Sequence, residues 1–571
     1  MWNHRVVDGF MLSSRDARRA VLLTLCLLSA CAAANPAANA DRVQPAYGSA
    51  GDYLAGRFEL SQGDFGDAAS YLLKASADNP DDQDLLLQAF IACLNAGRPE
   101  TLRLAARLPG NQVAQMILAD GAAKAGDWGE AIARFRSVSR EGVMQLLQPL
   151  LLAWASQGAG QTDLALTTLR PMLENPRYRP IVALHAGMIA DMADRPVEAG
   201  AFYQQAEGDM GDESPRTALI LASWHARSGQ LADAEGILGR MASTVPEASI
   251  ALQGMIASLN KRPVANALDG MAEAYATFAA ALRSQQTGEF AMIMSRLALD
   301  VKPDSSTARL MAADIQARAK HLDVALTMLD TAARTDDPIA PIIRLRRASV
   351  LEEMGRTDEA IREVERIGRD YPESSIPDNE LGDLLRQKQR YPEAIVAYDR
   401  VIARVKQPVQ ADWAIYYSRG IAYERTGQWA LAEADFNHAL QLSPEQPSVL
   451  NYLGYAWADM GRNLDQARDM IQRAAARRPN DGAITDSLGW VLYRQGNVTE
   501  ATKMLERAVG LEPEDPTITE HLGDAYWATG RKIEAQYQWR RALTLNPSPE
   551  DAAKLEAKIK SHPYGTVASG K

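Results

Sequence analysis

A recurring interval of 34 or 35 residues constrains this chain more than any other feature. Gly420, Gly454, Gly489 and Gly523 are spaced 34, 35 and 34 residues apart. Each is followed by a second glycine, at Gly427, Gly461, Gly496 and Gly530, and then by an alanine, at Ala432, Ala467, Ala501 and Ala535. A proline closes each unit, at Pro444, Pro479, Pro513 and Pro547. A small residue at the first position lets two helices cross closely, and the second glycine permits the turn between them. The alanine marks where the second helix presses on the first. Leu505 and Trp539 take the large apolar position of that second helix, with Ala508 and Ala542 following on the same stripe. The proline ends the helix, since inside one it loses a hydrogen bond and clashes. An ordinary helical bundle has no reason to space its glycines and prolines at one interval.

Weaker copies run toward the amino terminus. Their small or spacer positions fall at Ala348 and Gly382, Ala313, Ala222, Gly187, Ala153, Ala119, Phe90 and Gly56, with turn glycines at Gly63, Gly97, Gly126, Gly229 and Gly355. This pattern resembles the tetratricopeptide family, whose unit is an antiparallel helix pair of about 34 residues. The expected fold is an all-α superhelical solenoid of about thirteen helix-turn-helix repeats. A signal segment at 1–30 and a tether at 31–47 precede an N-terminal solenoid at 48–243. A C-terminal solenoid at 286–548 and a charged capping helix and tail at 549–571 complete the layout. Between Ala222 and Ala313 lie 91 residues, which is not a whole number of repeats. Residues 244–285, with Pro263 and the apolar run GMAEAYATFAAAL, read as an irregular helical junction. Drift of the repeats is the competing explanation.

The first thirty residues read as targeting sequence. Arg15, Arg18 and Arg19 precede the apolar run AVLLTLCLLSA, which is too short for a spanning helix of roughly 20 residues. The run ends in Leu28-Ser29-Ala30-Cys31, which resembles the bacterial lipoprotein signal. That resemblance implies lipidation of the Cys31 thiol. With alanine rather than aspartate at 32, it also implies the periplasmic face of the outer membrane. An ordinary secretory signal cut after Ala40 is the alternative. Two of the three cysteines, Cys26 and Cys31, lie in or beside this leader, so no disulfide framework exists; Cys93 sits in an apolar helical pattern as a buried small side chain.

The family pattern implies that first helices line a concave groove. Its groove-facing residues then include Tyr417, Arg425, Asn451, Tyr455, Asp459, Asp486, Trp490, Tyr493, Arg494, Asp524 and Trp527. Trp457 and Trp539 fall at packing positions instead. Repeat domains that clamp a chain-terminal carboxylate use Lys, Arg and Asn in the groove. Here the comparable positions carry Tyr417, Asn451, Asp486 and Glu520, so a folded partner or a segment with positive charge fits better. The formal net charge of −11, with no dense basic stripe, argues against nucleic acid.

No HExxH, G-x-S-x-G elbow or phosphate-binding glycine loop is present, and the seven histidines are scattered singly. The nearest approach to a cluster is His521 with Glu520 and Asp524. A non-enzymatic protein with no cofactor and no metal is therefore expected. Residues 445–546, the signal and the length resemble long proteobacterial outer-membrane lipoproteins that act as protease adaptors. That resemblance implies two kinds of protein partner: a carboxyl-terminal processing protease and its peptidoglycan hydrolase substrates. The alternative is an assembly factor of an envelope export machine, for polysaccharide, pili or outer-membrane proteins.

Overall fold

A computed structural model describes residues 49–209, 214–282, 288–332 and 337–562. Cys31, the signal segment and the tether lie outside the described residues. Packing divides the chain between Pro377 and Asp378. The N-terminal unit contains α1 (Ser49–Gln62), α2 (Phe65–Asp78), α3 (Gln83–Ala96), α4 (Glu100–Ala105), α5 (Gln112–Lys124) and α6 (Trp128–Ser137). It continues with α7 (Met144–Gly158), α8 (Thr162–Leu173), α9 (Arg179–Met192), α10 (Pro196–Asp209), α11 (Pro215–Arg227) and α12 (Leu231–Thr244). A 3-10 turn (Pro246–Ala251) and α13 (Leu252–Ser258) lead into α14 (Ala267–Leu282), α15 (Gly288–Val301), α16 (Ser306–Arg318), α17 (Leu322–Ala332), α18 (Ala340–Glu353) and α19 (Thr357–Asp370).

The division falls in the first turn of α20 (Ile376–Gln387). The C-terminal unit then comprises α21 (Tyr391–Arg404), α22 (Trp413–Arg425), α23 (Trp429–Leu442), α24 (Pro447–Asp459) and α25 (Leu464–Arg477). After these come α26 (Gly482–Arg494), α27 (Val498–Leu511), α28 (Pro516–Ala528), α29 (Lys532–Thr544) and α30 (Pro549–Ser561). The described residues form an all-α solenoid of paired helices, as the interval requires. Each small or spacer position from Gly56 to Gly523 lies in the first helix of a pair.

The crossing works as the residue sizes dictate. At Gly523, a Cβ would stand 2.5 Å from the Trp539 indole, and at Gly489 it would stand 2.6 Å from Leu505. The large residue of the second helix therefore fills the space that the missing side chain leaves. The turn between the helices needs one residue in the left-handed region. Gly496 and Gly530 supply it at φ 83° and 82°, whereas Gln389 is held at φ 59° in the same place between α20 and α21.

Successive second helices are tied by a device the interval also repeats. Arg473, Arg507 and Arg541 donate to the carbonyls of Pro444, Pro479 and Pro513, at 3.0, 2.5 and 2.6 Å. The proline that stops one helix thus leaves a carbonyl for the arginine of the next repeat. First turns are capped by Asp481, Asp515 and Ser548, whose side chains accept from backbone N–H groups.

The interval fails between Ala222 and Ala313 because the 3-10 turn and α13 are inserted ahead of a further helix pair, α14 and α15, which is placed out of line. In the N-terminal unit α14 packs back against α7 and α9, and α15 against α3 and α5. Tyr275 of α14 donates to both carboxyl oxygens of Asp120 on α5, at 3.0 and 3.1 Å, and both residues are completely buried. Gly270 lies so close to Trp154 of α7 that a Cβ would meet the indole at 2.3 Å. Lys124 pairs with Asp300 at 2.7 Å and Arg216 with Glu273 at 2.8 Å. Asp120 and Trp154 directly follow the small residues Ala119 and Ala153, the register at which the family pattern faces the groove. The chain's own helix therefore covers that face of the N-terminal unit.

Candidate functional site

In the C-terminal unit the groove residues fall on four successive first helices. Tyr417 and Arg425 come from α22, Asn451, Tyr455 and Asp459 from α24, Asp486, Trp490, Tyr493 and Arg494 from α26, and Asp524 and Trp527 from α28. Equivalent positions recur with the repeat, so Tyr455, Trp490 and Asp524 form one column and Tyr417, Asn451, Asp486 and Glu520 another.

The centre is an aromatic stack. Trp490 lies parallel to Tyr493 at 5.1 Å between ring centroids and to His521 at 4.0 Å. His521 in turn places Nδ1 3.0 Å from both carboxyl oxygens of Asp486. Burial works against a charged imidazole, but the Asp486 carboxylate outweighs it and raises the His521 pKa. The ring lies between an anion and an indole face, a geometry that favours the charged form on both sides. Arg494 covers Trp490 with its guanidinium 5.9 Å from the ring centroid and donates to the Asp459 carbonyl at 2.5 Å.

The candidates differ in exposure. Asp486, Asn451 and Trp490 are buried, at 1, 7 and 9 % exposure, so they shape the floor. Asn451 Oδ1 and the Trp490 indole nitrogen have no hydrogen-bond partner. Tyr455, Tyr493, Arg494, Asp524 and Trp527 are half-buried and form the accessible wall. Burial first, then the nearby Asp486, Asp459 and Glu520 carboxylates, pushes the Tyr455 phenol up and keeps it a neutral donor. Tyr417 packs further along the same hydrophobic cluster, and Arg425 lies near the Tyr452 and Tyr455 phenols. Tyr417 packs on Trp413 and Tyr452 at 5.8 Å each, and burial pushes its phenol up to about 12. Of the two tryptophans read as packing residues, Trp539 is 1 % exposed and Trp457 8 %.

Sequence reasoning missed the basic half of the wall. Lys558 of α30 reaches Glu520 at 2.5 Å and Asp524 at 2.8 Å. The signal was present, since Lys558 lies 34 residues after Asp524 and so falls in the same column. Among the described residues no group of three or more His, Cys, Asp or Glu side chains could hold a metal ion, and no helix is long and apolar enough to cross a membrane.

Family models agree with this geometry. A tetratricopeptide repeat-like domain model matches residues 261–414, and tetratricopeptide repeat models match 413–446, 458–502 and 487–552. The chain is a tetratricopeptide-repeat protein. This tetratricopeptide-repeat protein is similar to TPR repeat-containing protein PA4667 of Pseudomonas aeruginosa, with 29 % identity over 156 residues. The match spans 27 % of this chain and 26 % of that relative. Among solved structures, it is similar to a tetratricopeptide repeat protein from Parabacteroides merdae (TM-score 0.38, 15 % identity, 44 % of this chain and 97 % of that one). It is also similar to yeast Tom70 (TM-score 0.33, 13 % identity, 90 % of this chain and 95 % of that one).

Proposed function

We propose that this tetratricopeptide-repeat protein is a non-enzymatic scaffold anchored by a lipid at Cys31 to the periplasmic face of the outer membrane. There it brings a carboxyl-terminal processing protease together with peptidoglycan hydrolases. Tetratricopeptide solenoids are typical protein-interaction scaffolds, and the observation that carries the reading is the difference between the two units. In the N-terminal unit α14 covers Asp120 and Trp154. In the C-terminal unit the matching register carries Tyr455, Trp490 and Asp524, and among the described residues no helix lies over it there. Tyr455, with Tyr493 and Arg494 from the next turn of α26, therefore stands half-buried beside an aromatic floor. Tyrosine and arginine around a buried tryptophan supply contact area with polar handles, the composition of interaction hot spots. The acidic residues Asp459, Asp486, Glu520 and Asp524, drawn from successive first helices, favour a partner surface with positive charge.

The test is affinity capture of the anchored protein from its own envelope, comparing the parent chain with Tyr493→Ala and Arg494→Glu. The adaptor reading expects the parent to retain a processing protease and wall hydrolases, and both variants to lose them while keeping their helical circular dichroism. Export-machine components captured without a protease would replace it with the assembly reading. Cys31→Ala is expected to move the protein from the membrane to the soluble envelope fraction.

A further inference from the structure

The C-terminal groove does not end in solvent. Its last column member, Asp524, is already engaged by Lys558, and α30 occupies the place that the first helix of another repeat would take. Unlike the preceding first helices, α30 has no second helix described behind it. Leu555 is its one buried residue, with Ile559 half-buried. Beneath it lie Trp527 and Trp539, whose rings sit 5.5 Å apart, and Trp539 donates from its indole nitrogen to Asp524 at 2.9 Å. Glu520 and Asp524 converge on a single ammonium group. Burial opposes the charge on Lys558, yet the two carboxylates outweigh it and raise its pKa.

We infer that the face formed by Glu520, Asp524, Trp527 and Trp539 is a docking site for a partner's amphipathic helix, and that α30 is its exchangeable resident. The chemistry α30 uses defines the partner. It carries a lysine for the carboxylate pair, with one aliphatic residue three positions before it and another directly after it, as Leu555, Lys558 and Ile559 provide. Residues three and four apart share one helix face, so these three side chains reach the surface together. α30 is held at its edge, by one buried leucine, the partly exposed Lys558 ion pairs, Gln536 donating to the Ile559 and His562 carbonyls, and His562 against Trp527, with no following helix described over its outer face, which suits it to displacement. The inference deepens the proposed function, because it extends the same groove and names the helix chemistry it accepts.

The experiment uses the full chain and a fluorescein-labelled synthetic peptide of residues 549–562, with a scrambled peptide as control. Binding is read by fluorescence anisotropy to the parent and to Leu555→Glu/Lys558→Glu, which releases α30. The released variant is expected to bind the peptide at least tenfold more tightly than the parent, with affinity falling as salt rises and falling again with Glu520→Gln. A second measurement does not depend on that variant folding. Excess peptide added to the parent is expected to raise hydrogen exchange in α30. Equal or absent binding by parent and variant, with α30 exchange unchanged, overturns the inference. A released variant that forms dimers by light scattering also overturns it, by making a second copy the occupant. Envelope capture that depends on Tyr493 and Arg494 would survive either failure, so the two readings are separable.

Discussion

Removing one hydroxyl tests whether α14 is truly fastened in the N-terminal unit. The bond runs from Tyr275 to Asp120 across 155 residues of sequence, and both side chains are fully buried. Tyr275→Phe leaves the Asp120 carboxyl buried without that donor, which costs about 1–3 kcal/mol. Replacing both partners, as Asp120→Leu/Tyr275→Phe, removes the stranded group along with the bond and should cost less than Tyr275→Phe alone. The carboxyl is also pushed well above its ordinary value, by burial first and by Asp300 second. Stability tied to the protonated form is complete below the ordinary carboxylate pKa and is lost as pH rises through the raised folded value. The parent should therefore lose protection in α14 as the pH climbs through that window, and the double variant should lose less. Hydrogen exchange of α14 amides reads the effect locally, which matters because a chain of two units need not unfold in two states. If Tyr275→Phe shifts α14 exchange by less than about 0.5 kcal/mol, the bond does not hold the helix and the reasoning fails.

Further outcomes follow from single residues. Gln389→Gly should stabilise the C-terminal unit by about 0.5–1 kcal/mol in thermal denaturation, since relief of a left-handed non-glycine residue exceeds the entropy glycine adds to the unfolded chain. A loss of stability would count against that assignment of strain. Burial, then Glu100, pushes the Cys93 thiol up to about 12, so thiol reagents should label it only when the N-terminal unit opens, as mass spectrometry with and without urea would show. Arg507→Ala should lower stability by about 1 kcal/mol in urea titrations through the unpaired Pro479 carbonyl, and an unchanged midpoint would mean that solvent satisfies the carbonyl equally well. The raised pKa of His521 gives stability that is complete below the ordinary histidine value and lost as pH rises through the folded one. His521→Gln should flatten that dependence in circular dichroism melts.

The solenoid was legible in the sequence because its determinants are local and repeat. Gly523 and Trp539 meet because two helices of fixed length and one turn bring them together, and the same arithmetic places Gly489 on Leu505. The groove residues inherit the same register, so their helices and columns could be named from spacing. Their exposure could not. Whether Trp490 lies open or forms a floor depends on His521 in the next repeat and Arg494 above it. The seat of α14 was hidden for a related reason. Its apolar run announces a buried helix, but nothing in GMAEAYATFAAAL says which surface receives it. That choice rests on a small residue meeting Trp154 and a phenol meeting Asp120, contacts between segments more than a hundred residues apart. Sequence thus determined the repeating local geometry, while the tertiary structure alone decided which faces are filled, because complementarity between distant surfaces leaves no periodic trace in the chain.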